Sequence, residues 1–215
     1  MDPGYWAERW RNGQIGFHLA DVNRLLLAHA GQLPPPPARV LVPLCGKSHD
    51  LAWLADRGHQ VVGVEFVEQA ARAFFDERGI EPQVGTPGAH VSLSAGRVTI
   101  AVADFFAVDA TAVGRFPAMW DRAALIAMPP DQQRRYVEQL RALATDDARV
   151  LLATFEHDLG SGPPFSVSVA DLEPLAQGLF RCQLLQDQDV LSAEPRFRER
   201  GATRLREQLF LLQPL

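Results

Sequence analysis

Two cysteines in 215 residues, Cys45 and Cys182, are too few for a disulfide framework or a zinc cluster, and a reducing cytoplasm is the expected setting. The six histidines, at 18, 29, 49, 59, 90 and 157, fall in neither His-x-x-x-His nor Glu-x-x-His spacing, so no metal is expected. Basic charge is scarce as well: 21 Lys and Arg stand against 26 Asp and Glu, a formal charge of −5. With no basic stripe to release counterions from a phosphate backbone, nucleic acid is not an expected partner. No apolar run reaches the ~20 residues that cross a bilayer. The opening Met1-Asp2-Pro3-Gly4 is acidic and has no apolar signal core, so neither membrane insertion nor export is expected. What remains is 47% hydrophobic and 22% charged, an ordinary globular balance. It is long enough for one core and reads as a single domain over 1–215.

That domain is arranged around residues 39–65. Val40, Leu41 and Val42 form a short apolar run suited to a strand buried on both faces. A turn follows at Pro43 to Lys47, where Gly46 can take a positive φ. Ser48 is placed to cap a helix carrying Leu51, Leu54 and Ala55, and Gly58 stops it. Val61, Val62 and Val64 make a second buried run that ends on Glu65. Strand, tight turn, helix, strand and acid are the first half of an open α/β nucleotide site, in which the carboxylate can accept both hydrogen bonds of a ribose diol. The turn is neither Gly-x-Gly-x-x-Gly nor a Walker loop, and its one glycine offers no pyrophosphate cradle. A nucleoside without phosphates, with S-adenosylmethionine (SAM) as the leading candidate, fits it better than a dinucleotide.

Five segments then carry a resemblance: Val40-Leu-Val-Pro-Leu-Cys-Gly-Lys-Ser48, Gly58-His-Gln-Val-Val-Gly-Val-Glu65, Asp104-Phe-Phe106, Trp120-Asp-Arg-Ala-Ala-Leu-Ile-Ala-Met-Pro-Pro130 and Gly162-Pro-Pro-Phe-Ser-Val167. Together they resemble the thiopurine S-methyltransferase family, from Trp6 to the end of the chain. The resemblance implies a Rossmann-like class I methyltransferase fold, a single α/β domain with a mostly parallel seven-stranded sheet and helices on both faces. Residues 1–33 would form an N-terminal lid segment and 38–215 the α/β core. It implies SAM as cofactor and S-adenosylhomocysteine (SAH) as product. Trp10, Leu44, Gly46, Glu65, Asp104, Phe105 and Arg122 would touch the cofactor, and Phe17 and Arg122 the acceptor. The implied reaction is S-methylation of aromatic or heterocyclic thiols, with selenium or tellurium compounds as further acceptors, by a monomeric cytoplasmic enzyme. At Thr154-Phe155-Glu156-His157 the chain departs from the family, where an acid followed by Tyr-Pro-Gln is expected, which bears on the shape of the acceptor pocket.

The residues themselves leave several readings open. Trp6 and Trp10 share a helix face, which serves either to dock that helix or to cover a ligand. The loop Asn12 to Phe17 is glycine-bearing, and the sulfonium of SAM beside an aromatic face gains roughly 0.5–2 kcal/mol. Pro34 to Pro37 read as a stiff spacer. Residues 80–90, with Pro82, Gly85, Pro87 and Gly88, read as loop, and Val91–Leu93 with Val98–Ile100 as a hairpin about Ala95-Gly96. Asp104 and Phe105 are either an adenine contact or a cap and a core residue. Asp121-Arg122, at the tip of a strand over Phe116 to Trp120, is either a cap with an ion pair or, at Arg122, an anion clamp. Helices are expected over about 68–78, 130–143 and 171–177, and further strands over 150–155, 179–185 and 205–212. The arginine-rich stretch Arg196 to Gly201 is either solvated or steers an anionic substrate.

No residue is assigned as a catalytic acid or base. A thiol near neutral pH supplies its own thiolate, so positioning two reactants is the main requirement. The rivals are a halide or small-thiol methyltransferase, a non-catalytic SAM-binding protein of the same fold, and an oxidoreductase, which would need the pyrophosphate cradle that Pro43 to Lys47 does not supply.

Overall fold

The structure, a computed structural model, describes residues 3–86 and 90–215. Pro87 and Gly88, read above as part of a loop, lie outside the described residues, as do Met1 and Asp2. The chain runs α1 (Pro3–Arg11), α2 (Arg24–His29), β1 (Arg39–Pro43), α3 (His49–Asp56), β2 (Gln60–Glu65), α4 (Glu68–Asp76), β3 (Gln83–Gly85), β4 (Val91–Ala95), β5 (Val98–Val102), α5 (Ala110–Val113) and β6 (Phe116–Arg122). It continues through α6 (Pro130–Leu143), β7 (Ala144–His157), α7 (Val169–Ala176), β8 (Phe180–Asp189), α8 (Pro195–Glu199) and β9 (Leu205–Pro214).

The apolar triplet Val40-Leu41-Val42 becomes the central strand because it is buried on both faces. β1 pairs in parallel with β2 on one side and with β6 on the other. Leu41 points into a core built with Tyr136, Val137 and Leu140 of α6. Val40 and Val42 point the opposite way, toward Leu25 and Leu26 of α2, Leu51 and Leu54 of α3 and Phe74 and Phe75 of α4. Two cores on one sheet are the doubly wound architecture, with helices on both faces.

The strand order is β3-β4-β5-β2-β1-β6-β7-β9-β8. Seven of these, β5 to β8 in that order, make up the sheet expected from the resemblance. β9 is antiparallel between β7 and β8. The β4–β5 hairpin extends the sheet beyond seven, and β3 pairs antiparallel on its outer side, inside a stretch read from sequence as loop. β3 carries no apolar alternation because, three residues long at the edge, it has no face to bury.

Leu25 and Leu26 of α2 are core residues, and Asn23 caps the helix through its Oδ1, which accepts from the Leu25 amide at 2.8 Å. β7 runs 14 residues, well beyond the expected 150–155, with an irregularity opposite Phe116 and Ala118. β1 leads to β2 on one side, and β6 enters on the other. The order reverses there, which opens a crevice at the carboxyl ends of the strands.

Candidate active site

The crevice is a cavity of about 330 Å³ above the ends of β1, β2, β6 and β7. Such a volume is within the ~300–1,000 Å³ of small-molecule sites. Its floor begins where β1 ends. Leu44 takes φ 48° and Gly46 φ 53°, a tight reversal that leaves the backbone of Cys45 to Ser48 facing the cavity wall. Glycine is required at 46 twice over, by this φ and because a Cβ there would lie 3.1 Å from Trp10 Cζ2. On β2, a Cβ at Gly63 would meet Cys45 Sγ at 2.5 Å, so the turn packs directly on the neighbouring strand.

Glu65 sits at the tip of β2, buried. Its Oε2 accepts from the Gly46 amide at 2.8 Å and its Oε1 from the Val67 amide at 2.7 Å. Burial pushes its pKa up, and the Val67, Gly46 and Phe66 amides pull against that. Two accepted bonds leave the carboxylate with unused lone pairs, since an ionised carboxylate has about four acceptor positions. Asp50, which also lines the cavity, is buried and fixed by the Trp120 indole at 2.7 Å and the Asn23 amide at 2.8 Å.

The cover comes from α1 and the loop after it. Trp6 and Trp10 each meet Phe17 edge to face, with centroids 5.6 and 5.8 Å apart. Trp10 also packs on Val67 and Ala70 at the start of α4. The residues that dock α1 therefore also wall the cavity. The cavity-lining part of the N-terminal segment spans Trp6 to Leu19. Two arginines hold this loop by adjacent carbonyls: Arg122 Nη1 donates to Phe17 O at 2.5 Å, and Arg196 Nη1 to Gly16 O. Among the described residues no carboxylate lies within ion-pair distance of Arg122. Burial lowers its pKa, with Asp50, Glu207 and Glu194 opposing. His18 also lines the cavity, stacked on His49 at 5.5 Å. Burial lowers its pKa, reinforced by Lys47 and His49.

The opposite wall is apolar with a basic rim. Phe155, Ile126, Pro163, Pro164 and Phe197 form the wall, and Arg196 and Arg200 stand at its edge. The Phe165 amide donates to Ile126 O at 2.7 Å and the Val167 amide to Phe155 O at 2.8 Å, which ties the Gly162–Val167 loop over β7. Lys47 lies near the turn but is engaged by Glu77. Among the described residues no cluster of His, Cys, Asp and Glu could hold a metal.

Of the residues singled out from sequence, Trp10, Phe17, Leu44, Gly46, Glu65 and Arg122 line one cavity. Asp104 and Phe105, expected as cofactor contacts, are not among the residues that line it. Asp104 is exposed, and its carboxylate caps a short turn by accepting from the Phe106 amide at 3.0 Å. Phe105 is buried in the core against Tyr136, with centroids 5.1 Å apart. A strand that ends in Asp-aromatic reads the same whether the ring turns into the core or over a ligand, and here the α6 surface takes it. Glu156 pairs with Arg204 at 3.3 Å, outside the cavity. Asp121 is wholly buried, accepting from the Tyr136 hydroxyl at 2.7 Å, which is a structural role.

The sequence reading did not assign the other wall residues. Arg196 and Arg200 had a signal in the arginine-rich stretch, and Pro163 and Pro164 in the Gly-Pro-Pro motif. His18, Phe66, Phe155 and Phe197 had none, because an isolated ring does not say which side of a strand or loop it faces.

The sequence model of the thiopurine S-methyltransferase family matches residues 1–214. The chain is 42% identical over 216 residues to a thiopurine S-methyltransferase of Pseudomonas fluorescens (strain Pf0-1), covering 99% of both chains. It is 43% identical to one of Xanthomonas campestris pv. campestris (strain 8004), again over 99% of both. Among solved structures, it is similar to the 1,6-didemethyltoxoflavin-N1-methyltransferase of Burkholderia thailandensis with bound S-adenosylhomocysteine. That match has a TM-score of 0.64 at 20% identity and covers 98% of this chain and 87% of the other. A TehB-like SAM-dependent methyltransferase of Corynebacterium glutamicum aligns with a TM-score of 0.56 at 13% identity, over 99% and 98%. At these identities the two structures speak for the fold.

Proposed function

The chain belongs to the thiopurine S-methyltransferase family, and from that premise we propose that it transfers the methyl group of SAM to the sulfur of an aromatic or heterocyclic thiol. The observation that carries this reading is Glu65, buried at the tip of β2, clamped by two backbone amides and still lining the cavity with acceptor capacity to spare. A ribose diol is the donor pair that fits such an acid, and the single-glycine turn beside it leaves room for a thioether chain rather than a pyrophosphate.

Trp10, Leu44, Gly46, Glu65 and Arg122 are the residues that would hold the cofactor. When bound, SAM supplies an electrophilic methyl group on a sulfonium. The chain's own part is to bind, orient and keep water out. Trp6, Trp10 and Phe17 provide aromatic faces that favour a cation and exclude solvent. Phe17, Phe155, Pro163, Pro164 and Phe197 give the acceptor an apolar slot. Arg122, Arg196 and Arg200 favour an anionic acceptor at its rim, so a thiolate is drawn in already ionised. No side chain needs to take a proton in this scheme. Positioning of the two reactants is worth up to ~7–11 kcal/mol in the best intramolecular cases.

We further propose that the protein works as a monomer in the reducing cytoplasm, where Cys45 and Cys182 stay as thiols. Selenium and tellurium compounds are proposed as further acceptors on the same chemistry. Calorimetry with SAH and a methyl-transfer assay over a panel of aromatic thiols, alkyl thiols and halides test the assignment. SAH binds and aromatic thiols turn over fastest on this reading. Halide methylation without thiol methylation overturns the substrate class, and SAH binding without any turnover points to a binding protein. Glu65→Gln keeps the shape but loses the charge and one acceptor, and SAH affinity is expected to fall by roughly 10- to 100-fold, the worth of a hydrogen bond to a charged group. Full retention of affinity removes the ribose role.

A further inference from the structure

His157 lies at the end of β7 behind the wall of the cavity, 5% exposed, and does not itself line it. Three contacts fix its ring. The Leu159 amide donates to Nδ1 at 3.2 Å, so Nδ1 carries no proton and Nε2 carries it. Nε2 is 3.2 Å from the carbonyl of Pro164 and donates to it. The ring packs on Phe197 with centroids 5.5 Å apart. The backbone takes part as well, since the His157 amide donates to Ser166 Oγ at 3.0 Å. Pro164 and Phe197 are both wall residues on the side opposite Glu65. One neutral imidazole thus ties β7 to the Gly162–Val167 loop and to α8, the two segments that shape the apolar slot.

We propose that His157 is a positioning residue for the methyl acceptor: in its neutral Nε2–H form it holds the Pro163–Pro164 wall against Phe197, and uptake of a second proton loosens that wall and weakens acceptor binding while cofactor binding is unaffected. This rests on the cavity being the methyl-transfer site. The chemistry is local. A proton on Nδ1 would face the Leu159 N–H, two donors pointed at one another, so the cation cannot keep both bonds. The ordinary value for imidazole is 6.5, and burial lowers it here. The charged groups that face it are Arg200, the residue after α8, which also disfavours the cation, and Asp158 on its own chain segment, which favours it. Arg200 further donates to Ser161 O at 3.0 Å, at the start of the same loop. Because the folded-state value is depressed, the neutral arrangement is intact above the ordinary value and is lost only as pH falls through the lowered folded-state value.

The test is a split of kinetic constants with pH. The acceptor is a nitro-substituted aromatic thiol that stays ionised throughout, so that its own titration does not enter. Wild type, His157→Gln and His157→Phe are assayed from about pH 7.5 to 5.5, with SAH binding measured by calorimetry at each pH. Glutamine keeps a donor for Pro164 and does not titrate, whereas phenylalanine keeps the ring on Phe197 and loses both hydrogen bonds. For wild type, acceptor KM is expected to rise about fivefold on acidification, the worth of one hydrogen bond, with kcat and SAH affinity nearly constant. His157→Gln is expected to show a flat KM, and His157→Phe a KM raised at every pH. His18 also lines the cavity, but it is common to all three proteins and cancels in the comparison. A wild-type KM that does not change with pH, or a rise that persists unchanged in His157→Gln, overturns the proposal. If SAH binding is lost by wild type itself, the methyl-transfer reading falls instead. Should both variants fail to bind SAH, the wild-type split alone decides.

Discussion

The buried carboxyl of Asp121 shows how a single residue can look functional and be structural. It stands at the tip of β6 beside Arg122, yet it is fully buried and receives the Tyr136 hydroxyl and the Leu125 amide. Burial raises its pKa from 3.8 to about 6, against the pull of those bonds. The sign follows from the direction. A raised folded value means that the protonated form is favoured by the fold, so the stability it contributes is complete below 3.8 and is lost as pH rises through about 6. Asp121→Asn removes that titration. Denaturant midpoints for both proteins at about pH 4 and 7 are expected to show wild type losing ground to the variant by on the order of 3 kcal/mol. A difference that does not vary with pH would remove Asp121 from the account.

At the scale of elements, α1 is the piece whose docking depends most on few contacts. It meets the rest of the chain through Trp6, Trp10 and Ala7, on Val67, Ala70, Phe66, Ile15 and Phe17, and Arg122 and Arg196 hold the loop behind it. Such a segment opens locally before the sheet does. A ligand under it adds contacts only in the docked state, so SAH is expected to slow trypsin cleavage at the exposed Arg11 by about tenfold. Trp10→Ala removes a buried indole, which costs several kcal/mol in cores, and is expected to speed cleavage and abolish protection by SAH. Equal cleavage with and without SAH in wild type would show that α1 is not a lid. The wall loop behaves differently, since it is tied to β7 by the Val167 amide and by His157.

Considering the molecule as a whole, the two ends of the sheet bear on association. β3 is three residues long, and β8 carries Arg181, Asp187 and Asp189 along its edge with an irregularity between Leu184 and Gln186. Short edges, charges and bulges disfavour edge-to-edge pairing. Light scattering is therefore expected to return the 23.7 kDa of one chain, and a stable dimer would show that another surface associates. Charge is also segregated at this scale. The chain is net −5, yet the cavity lining carries Arg9, Lys47, Arg122, Arg196 and Arg200 against Asp50, Glu65 and Glu194.

Local patterns carried much of this. The apolar triplet at 40–42 could only be a central strand, because a run with no polar alternation has no face for water. The turn after it had to hold glycine at 46, and the acid closing the next strand followed from spacing alone. These are properties of adjacent residues, and Glu65, Gly46 and the helix cap at Ser48 are legible for that reason. Which ring faces the cavity is a different matter. Phe105 just after β5 and Phe155 near the end of β7 look alike in sequence, but α6 takes the first into the core and leaves the second in the wall. Arg122 and Arg196 meet the same Gly16–Phe17 loop from 105 and 180 residues away along the chain. The Glu156–His157 step could be seen to depart from the family, but that the imidazole turns from the cavity to brace its wall depends on the Gly162–Val167 loop and α8. Contacts of that range come from how the sheet brings strand ends together, and only the folded chain decides them.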